Sequence, residues 1–150
     1  LERSPRTVLD LGCGEGWLSR ALSSHGVRVT GVDFSLPLAC AARAVVATYD
    51  ALPFACSFDT IVANFSLLDD RLPPLPPHTR FIIQTLHPGA AAEDGWRTAD
   101  VAGWSEPMPW YSRTMESWLR SLNERYAKVE VREPQWPDGR GAASVIFVCG

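Results

Sequence analysis

The chain has 150 residues, 46% hydrophobic and 21% charged, a balance that suits one folded domain over residues 1–150 and excludes a disordered one. Its 14 basic and 17 acidic residues give a net charge of −3 without any Lys or Arg run, so no nucleic-acid partner is expected. No apolar stretch reaches the about 20 residues that span a bilayer, and no signal peptide precedes the first strand, so no membrane partner is expected either. Cys13, Cys40, Cys56 and Cys149 are scattered without a C-x-x-C, which suggests neither a metal site nor a disulfide framework and favours a reduced, cytoplasmic setting.

The first element in chain order is TVLDL at 7–11, a continuous apolar run that reads as a buried parallel strand. Almost nothing stands ahead of it, so the domain is either minimal or shortened at its N-terminus. From Gly16, the residues Leu18, Ala21, Leu22 and His25 fall at helical spacing, and Gly26 is suited to end that helix. A second strand covers 27–33. A helix follows over 35–44, with Ser35 as its cap and Pro37 in its first turn. Strands are expected at 45–49, 58–68 and 80–88, with a proline-rich loop before the last of these. Residues 89–113 hold Trp96, Trp104, Trp110 and Tyr111 among prolines, with no steady period. Met115, Trp118, Leu119, Leu122 and Tyr126 then draw one helical stripe. KVEVREP and ASVIFVC close the chain as two strands joined by a Pro/Gly turn. The alternation predicts an α/β fold: a doubly wound, Rossmann-like, mostly parallel sheet of about seven strands with a C-terminal antiparallel hairpin and helices on both faces.

Between the first strand and first helix the chain reads D-x-G-x-G-x-G over residues 10–16, with glycines at 12, 14 and 16. Glycines at such a junction let the backbone turn tightly and let a ligand approach the helix N-terminus. A dinucleotide fingerprint would place a third glycine at position 17, which is Trp17. A plain strand-to-helix turn is the alternative.

VLDLGCGEG resembles the first motif of the class I S-adenosylmethionine-dependent methyltransferases, and further segments follow in that family's order. GVDFS ends the second strand, YDALPF resembles the acidic turn after the third, and FDTIVANFSLL and RFIIQTLHP resemble the fourth and fifth strands. PWYSRTMESW and the later Glu133-Pro134 resemble a group of bacterial small-molecule methyltransferases, so the likeness covers nearly the whole chain. The resemblance implies S-adenosyl-L-methionine as cofactor and a small-molecule acceptor. It also implies that an N-terminal segment, absent here, would cover the cofactor as a lid.

By that resemblance the cofactor lies on the loop of Gly12, Cys13, Gly14 and Gly16. Asp33 would take its ribose hydroxyls, with Phe34 beside it, and Asp50 its adenine amino group, with Ala51 and Leu52 next to the ring. Asp10 and Asn64 would attend its methionine end. Each aspartate also has a plainer reading: a helix-capping Asp33, a turn Asp50, or an Asp10 that organises the loop. Methyl transfer needs a base only where the acceptor must lose a proton. His87, directly after the fifth strand, is the candidate, with a structural hydrogen-bonding role as the alternative. The aromatic insert at 89–113 reads as an acceptor-side wall or as a hydrophobic flap. ANFSLL lacks the Asn/Asp-Pro-Pro-aromatic motif of enzymes that act on base or glutamine amide nitrogens, which points to small acceptors. Two other classes stay open: a non-catalytic interaction module of the same fold, and a nicotinamide-binding oxidoreductase domain, which Trp17 disfavours.

Overall fold

The computed structural model describes residues 4–55, 57–76, 78–89, 93–99, 107–139 and 141–150. The expected alternation is present. Strand β1 (Thr7–Leu11) leads through helix α1 (Trp17–Ser24) to β2 (Arg28–Asp33), and α2 (Leu36–Ala42) leads to the two-residue β3 (Val45–Val46). Then come β4 (Thr60–Asn64) and β5 (Arg80–Leu86), and a ribbon of β6 (Gly95–Ala99) and β7 (Met108–Ser112). Helix α3 (Met115–Asn123), β8 (Val129–Arg132) and β9 (Ser144–Cys149) complete the chain. The main sheet has the order β3-β2-β1-β4-β5-β9-β8, parallel from β3 to β5 and antiparallel where β9 joins β5 and β8.

Alternate residues of a strand point to opposite faces, and β1 shows which helix covers which. Leu9 and Leu11 belong to a core that includes Ile61, Phe81, Phe147 and the α3 residues Trp118 and Leu122. Asp10 points the other way, to a hydrogen bond from Ser19 of α1. Helices therefore lie on both faces. On the α3 face Trp118 stacks on Phe147 with ring centroids 5.4 Å apart. Burying a large apolar side chain contributes about 1.5–3 kcal/mol, so the core on this face is a substantial stabilising contribution. The helix starts at Thr114, whose hydroxyl accepts from the Ser117 amide at 3.1 Å.

Three elements are shorter than their patterns predict. The 58–68 strand spans only Thr60–Asn64, because Phe65 takes a left-handed φ of 52° and turns the chain at the site's edge. The 35–44 helix ends at Ala42, where Arg43 also adopts a left-handed conformation. The 45–49 strand is two residues long. The aperiodic insert gains structure instead: Trp96 pairs with Tyr111 and Arg97 with Trp110 across the β6–β7 ribbon. A two-stranded ribbon is all edge, so it tolerates Pro109. Trp104 lies outside the described residues.

Candidate functional site

In this sheet β1 connects onward to β2 on one side, while β4 connects to β5 on the other. Such a reversal opens a crevice at the carboxyl ends of β1 and β4, the place where open α/β sheets bind ligands. The glycine loop forms one lip. Gly12, Gly14 and Gly16 have φ of 67°, 55° and 80°, the left-handed region that favours glycine. The loop is tied to β2, since the amides of Gly12 and Cys13 both donate to the Val32 carbonyl, at 2.8 and 2.9 Å.

Asp33 ends β2 and is almost fully buried. One carboxylate oxygen accepts from the Gly14 amide at 2.9 Å and the other from the Ser35 amide at 2.8 Å. The residue thus joins the glycine loop to the turn before α2, and each oxygen keeps further acceptor capacity. Asp10 is buried behind the loop, where Ser19 Oγ donates to it at 2.6 Å. Burial raises its carboxyl pKa above the ordinary 3.8, partly offset by the hydrogen bonds from Ser19. Cys13 is buried too, and loss of hydration together with the Asp10 and Asp33 charges pushes its thiol to about 11, which makes it an unreactive loop residue.

Three other expected site residues, Phe34, Asp50 and Leu52, line two cavities whose walls include neither the glycine loop nor Asp33. Phe34 is 71% exposed and, with Asp50, lines a cleft of about 560 Å³ that extends past Ser66 to Trp96 and Met108 of the ribbon. Asp50 and Leu52 also line a second cavity of about 280 Å³, walled by Leu9, Phe54, Phe58 and Ile61. Ala51 is exposed in the turn between these two, and Asn64 sits half-buried at the last position of β4.

His87 lies elsewhere. Its Nδ1 accepts from the Gly89 amide at 2.9 Å, which leaves Nε2 as the protonated nitrogen, 2.8 Å from Glu133 Oε1. The ring ties the exit of β5 to the segment after β8 and does not line either cavity. Both ring nitrogens are engaged in these contacts.

Three residues near the site carry no local sequence signal. Tyr49 Oη, from the turn after β3, donates to the Ser66 carbonyl after β4 at 3.1 Å, and Ser66 Oγ donates to the Leu11 carbonyl at the end of β1 at 2.5 Å. Arg113 is buried between the rings of Tyr111 and Trp118, 5.2 and 5.3 Å from their centroids, and donates to the Asp70 carbonyl. It thereby links ribbon, α3 and the segment after β4. Alternation marks none of these, because each depends on partners distant in the chain.

A family model described as a methyltransferase domain matches residues 1–123. The chain belongs to that family. Two solved S-adenosylmethionine-dependent methyltransferases share the fold. The one from Mesorhizobium loti is 21% identical, with a TM-score of 0.72 over 97% of this chain and 91% of that one. The one from Methanosarcina mazei is 18% identical, with a TM-score of 0.73 over 99% and 92%. Among curated proteins, a ubiquinone biosynthesis O-methyltransferase of Coxiella burnetii is 68% identical over 28 residues, 19% of this chain and 12% of that protein. A malonyl-[acyl-carrier protein] O-methyltransferase of Pseudescherichia vulneris is 51% identical over 37 residues, 25% and 15%. The chain therefore matches under a sixth of the length of these curated relatives.

Proposed function

We propose that this methyltransferase domain binds S-adenosyl-L-methionine in the β1–β4 crevice and methylates a small-molecule acceptor. The observation that carries this reading is the glycine loop held by Asp33 at the switch point of the sheet. Bound there, the cofactor would supply a methyl group on a positively charged sulfur, ready for in-line displacement. The protein's part is to hold, orient and keep dry. Asp33 has acceptor sites to spare for a ribose diol, and the exposed Phe34 ring offers an apolar face beside it. Asp50 serves the adenine amino group, with the Ala51 and Leu52 backbone alongside. Asp10 and Asn64 lie towards the methionine end.

The acceptor side is the cleft between Ser66 and the ribbon, where Trp96 and Met108 provide flat, apolar walls suited to a small organic molecule. Both curated relatives are named as O-methyltransferases, and a further fold neighbour, 15% identical with a TM-score of 0.69, is a glycopeptide N-methyltransferase in complex with S-adenosyl-L-homocysteine. These names support a methyl acceptor on oxygen or nitrogen. No proton needs to pass through His87 in this scheme. A reduced, cytoplasmic setting suits the buried free thiols of Cys13 and Cys149.

Calorimetric titration with S-adenosyl-L-homocysteine and with NAD tests the reading. Binding of the first and not the second is expected. Equal affinities, or binding of NAD alone, would overturn it.

A further inference from the structure

One side chain of the protein itself reaches into the switch-point crevice. Tyr49 reaches across from the turn after β3 and places its hydroxyl between Gly12 and the Ser66 carbonyl. A Cβ at Gly12 would collide with that hydroxyl and with Ser66 Cβ, so it is the glycine that admits the phenol. Resting on the cofactor reading above, we propose that Tyr49 is the gate of the cofactor site. Its ring stands in the crevice until cofactor enters, and then swings into the neighbouring 280 Å³ cavity.

Three features of the surroundings make this movement available. The phenol is held in the crevice by a neutral hydrogen bond to Ser66, a modest restraint on a side chain. Its backbone lies in a turn beyond a two-residue strand, outside regular structure on either side. Tyr49 also borders both cavities at once, so the ring stands on the partition between them. The smaller cavity is walled by Leu9, Leu52, Phe54, Phe58 and Ile61, apolar groups suited to the ring's faces. A ligand that needs the crevice must therefore compete with Tyr49, and its apparent affinity is reduced by the fraction of molecules in which the crevice is open.

The test is titration of the full chain with S-adenosyl-L-homocysteine, comparing wild type, Tyr49→Phe and Tyr49→Ala. If the crevice is open in about a tenth of molecules, Tyr49→Ala binds about tenfold tighter than wild type. Tyr49→Phe, which keeps the ring and loses the Ser66 bond, should fall between. Leu75→Trp fills the smaller cavity from its far wall and should weaken binding by wild type but not by Tyr49→Ala. Should Tyr49→Ala fail to fold, fluorine NMR of the wild type labelled with 3-fluorotyrosine decides instead. Its Tyr49 resonance, assigned through Tyr49→Phe, should move to a second position on saturation, and Leu75→Trp should suppress that second position. Weaker or unchanged binding by Tyr49→Ala, or a Tyr49 resonance that stays in place on saturation, overturns the gate and leaves the cofactor reading standing. Folded wild type, Tyr49→Phe and Tyr49→Ala that all fail to bind overturn the cofactor reading and the gate with it.

Discussion

Asp33 braces the glycine loop and, in the proposed function, also holds the ribose, and separating the two is the sharpest test at the scale of one residue. Its oxygens satisfy the Gly14 and Ser35 amides, so the carboxylate stabilises the protein whether or not a ligand is present. Asp33→Asn turns one acceptor into a donor facing an N–H group. The expected loss is about 1–3 kcal/mol of unfolding free energy, read by urea denaturation. Cofactor affinity should fall as well, by about 10- to 150-fold, if the same carboxylate holds the ribose. A variant that loses stability and keeps its affinity would show that Asp33 only braces the loop. Position 33 was legible in the sequence as an acidic residue at a strand end beside a glycine loop. Its hold on Gly14 was not, because a backbone amide donor leaves no trace in side-chain pattern.

At the scale of elements, the wall proposed for the acceptor is braced by Arg113. The residue bridges three parts: the Tyr111 ring of the ribbon, Trp118 of α3 and the Asp70 carbonyl in the segment after β4. Further ties run from the Tyr111 amide to the Leu68 carbonyl at 2.8 Å, from the Thr114 amide to Asp94 Oδ1 at 2.7 Å and from Arg125 Nη1 to the Pro73 carbonyl at 2.8 Å. Arg113→Lys keeps the charge but loses the flat guanidinium that fits between two rings. It should lower stability by about 1–3 kcal/mol, the scale for hydrogen bonds to charged groups and for desolvated cation–π contacts. Weaker acceptor binding with cofactor affinity unchanged is expected alongside. An Arg113→Lys protein as stable as wild type would make the bridge incidental. The sequence displays the aromatic content of this insert but not its ribbon, since prolines and missing alternation conceal a strand that is all edge. The main strands were legible for the opposite reason, as buried β-branched runs bounded by glycine and proline.

For the whole molecule, the proposed cofactor should stabilise the fold through mass action, as any ligand that binds only the folded state does. At 100 times its dissociation constant, S-adenosyl-L-homocysteine adds about 2.7 kcal/mol. For a domain of this size that corresponds to a melting temperature about 5–11 °C higher. NAD at the same concentration should leave the melting temperature unchanged. The doubly wound, mostly parallel sheet and its C-terminal hairpin could be expected from the strand pattern alone, whereas the Tyr49–Ser66 contact arises only once separate strands are brought together.

The pH dependence of stability divides between groups of opposite sign. Asp59 accepts from the Arg6 and Thr7 amides, which holds its pKa below 3.8, and its stabilising effect is present above the ordinary carboxylate range and lost as pH falls through the lowered value. Asp10 behaves the other way. Burial raises its pKa, so between 3.8 and that higher value the folded protein binds a proton that the unfolded chain has released. Stability from this group therefore falls as pH rises through the window and stays low above it. Asp10→Asn cannot titrate, so its unfolding free energy relative to wild type should climb as pH rises from 3.8 through the raised value and level off above it. Any loss of the Ser19 hydrogen bond shifts that difference by a constant and leaves its slope intact. Urea denaturation of both proteins across this range measures the slope directly. A difference that does not change with pH would mean that the Ser19 hydroxyl and amide fully compensate the buried charge.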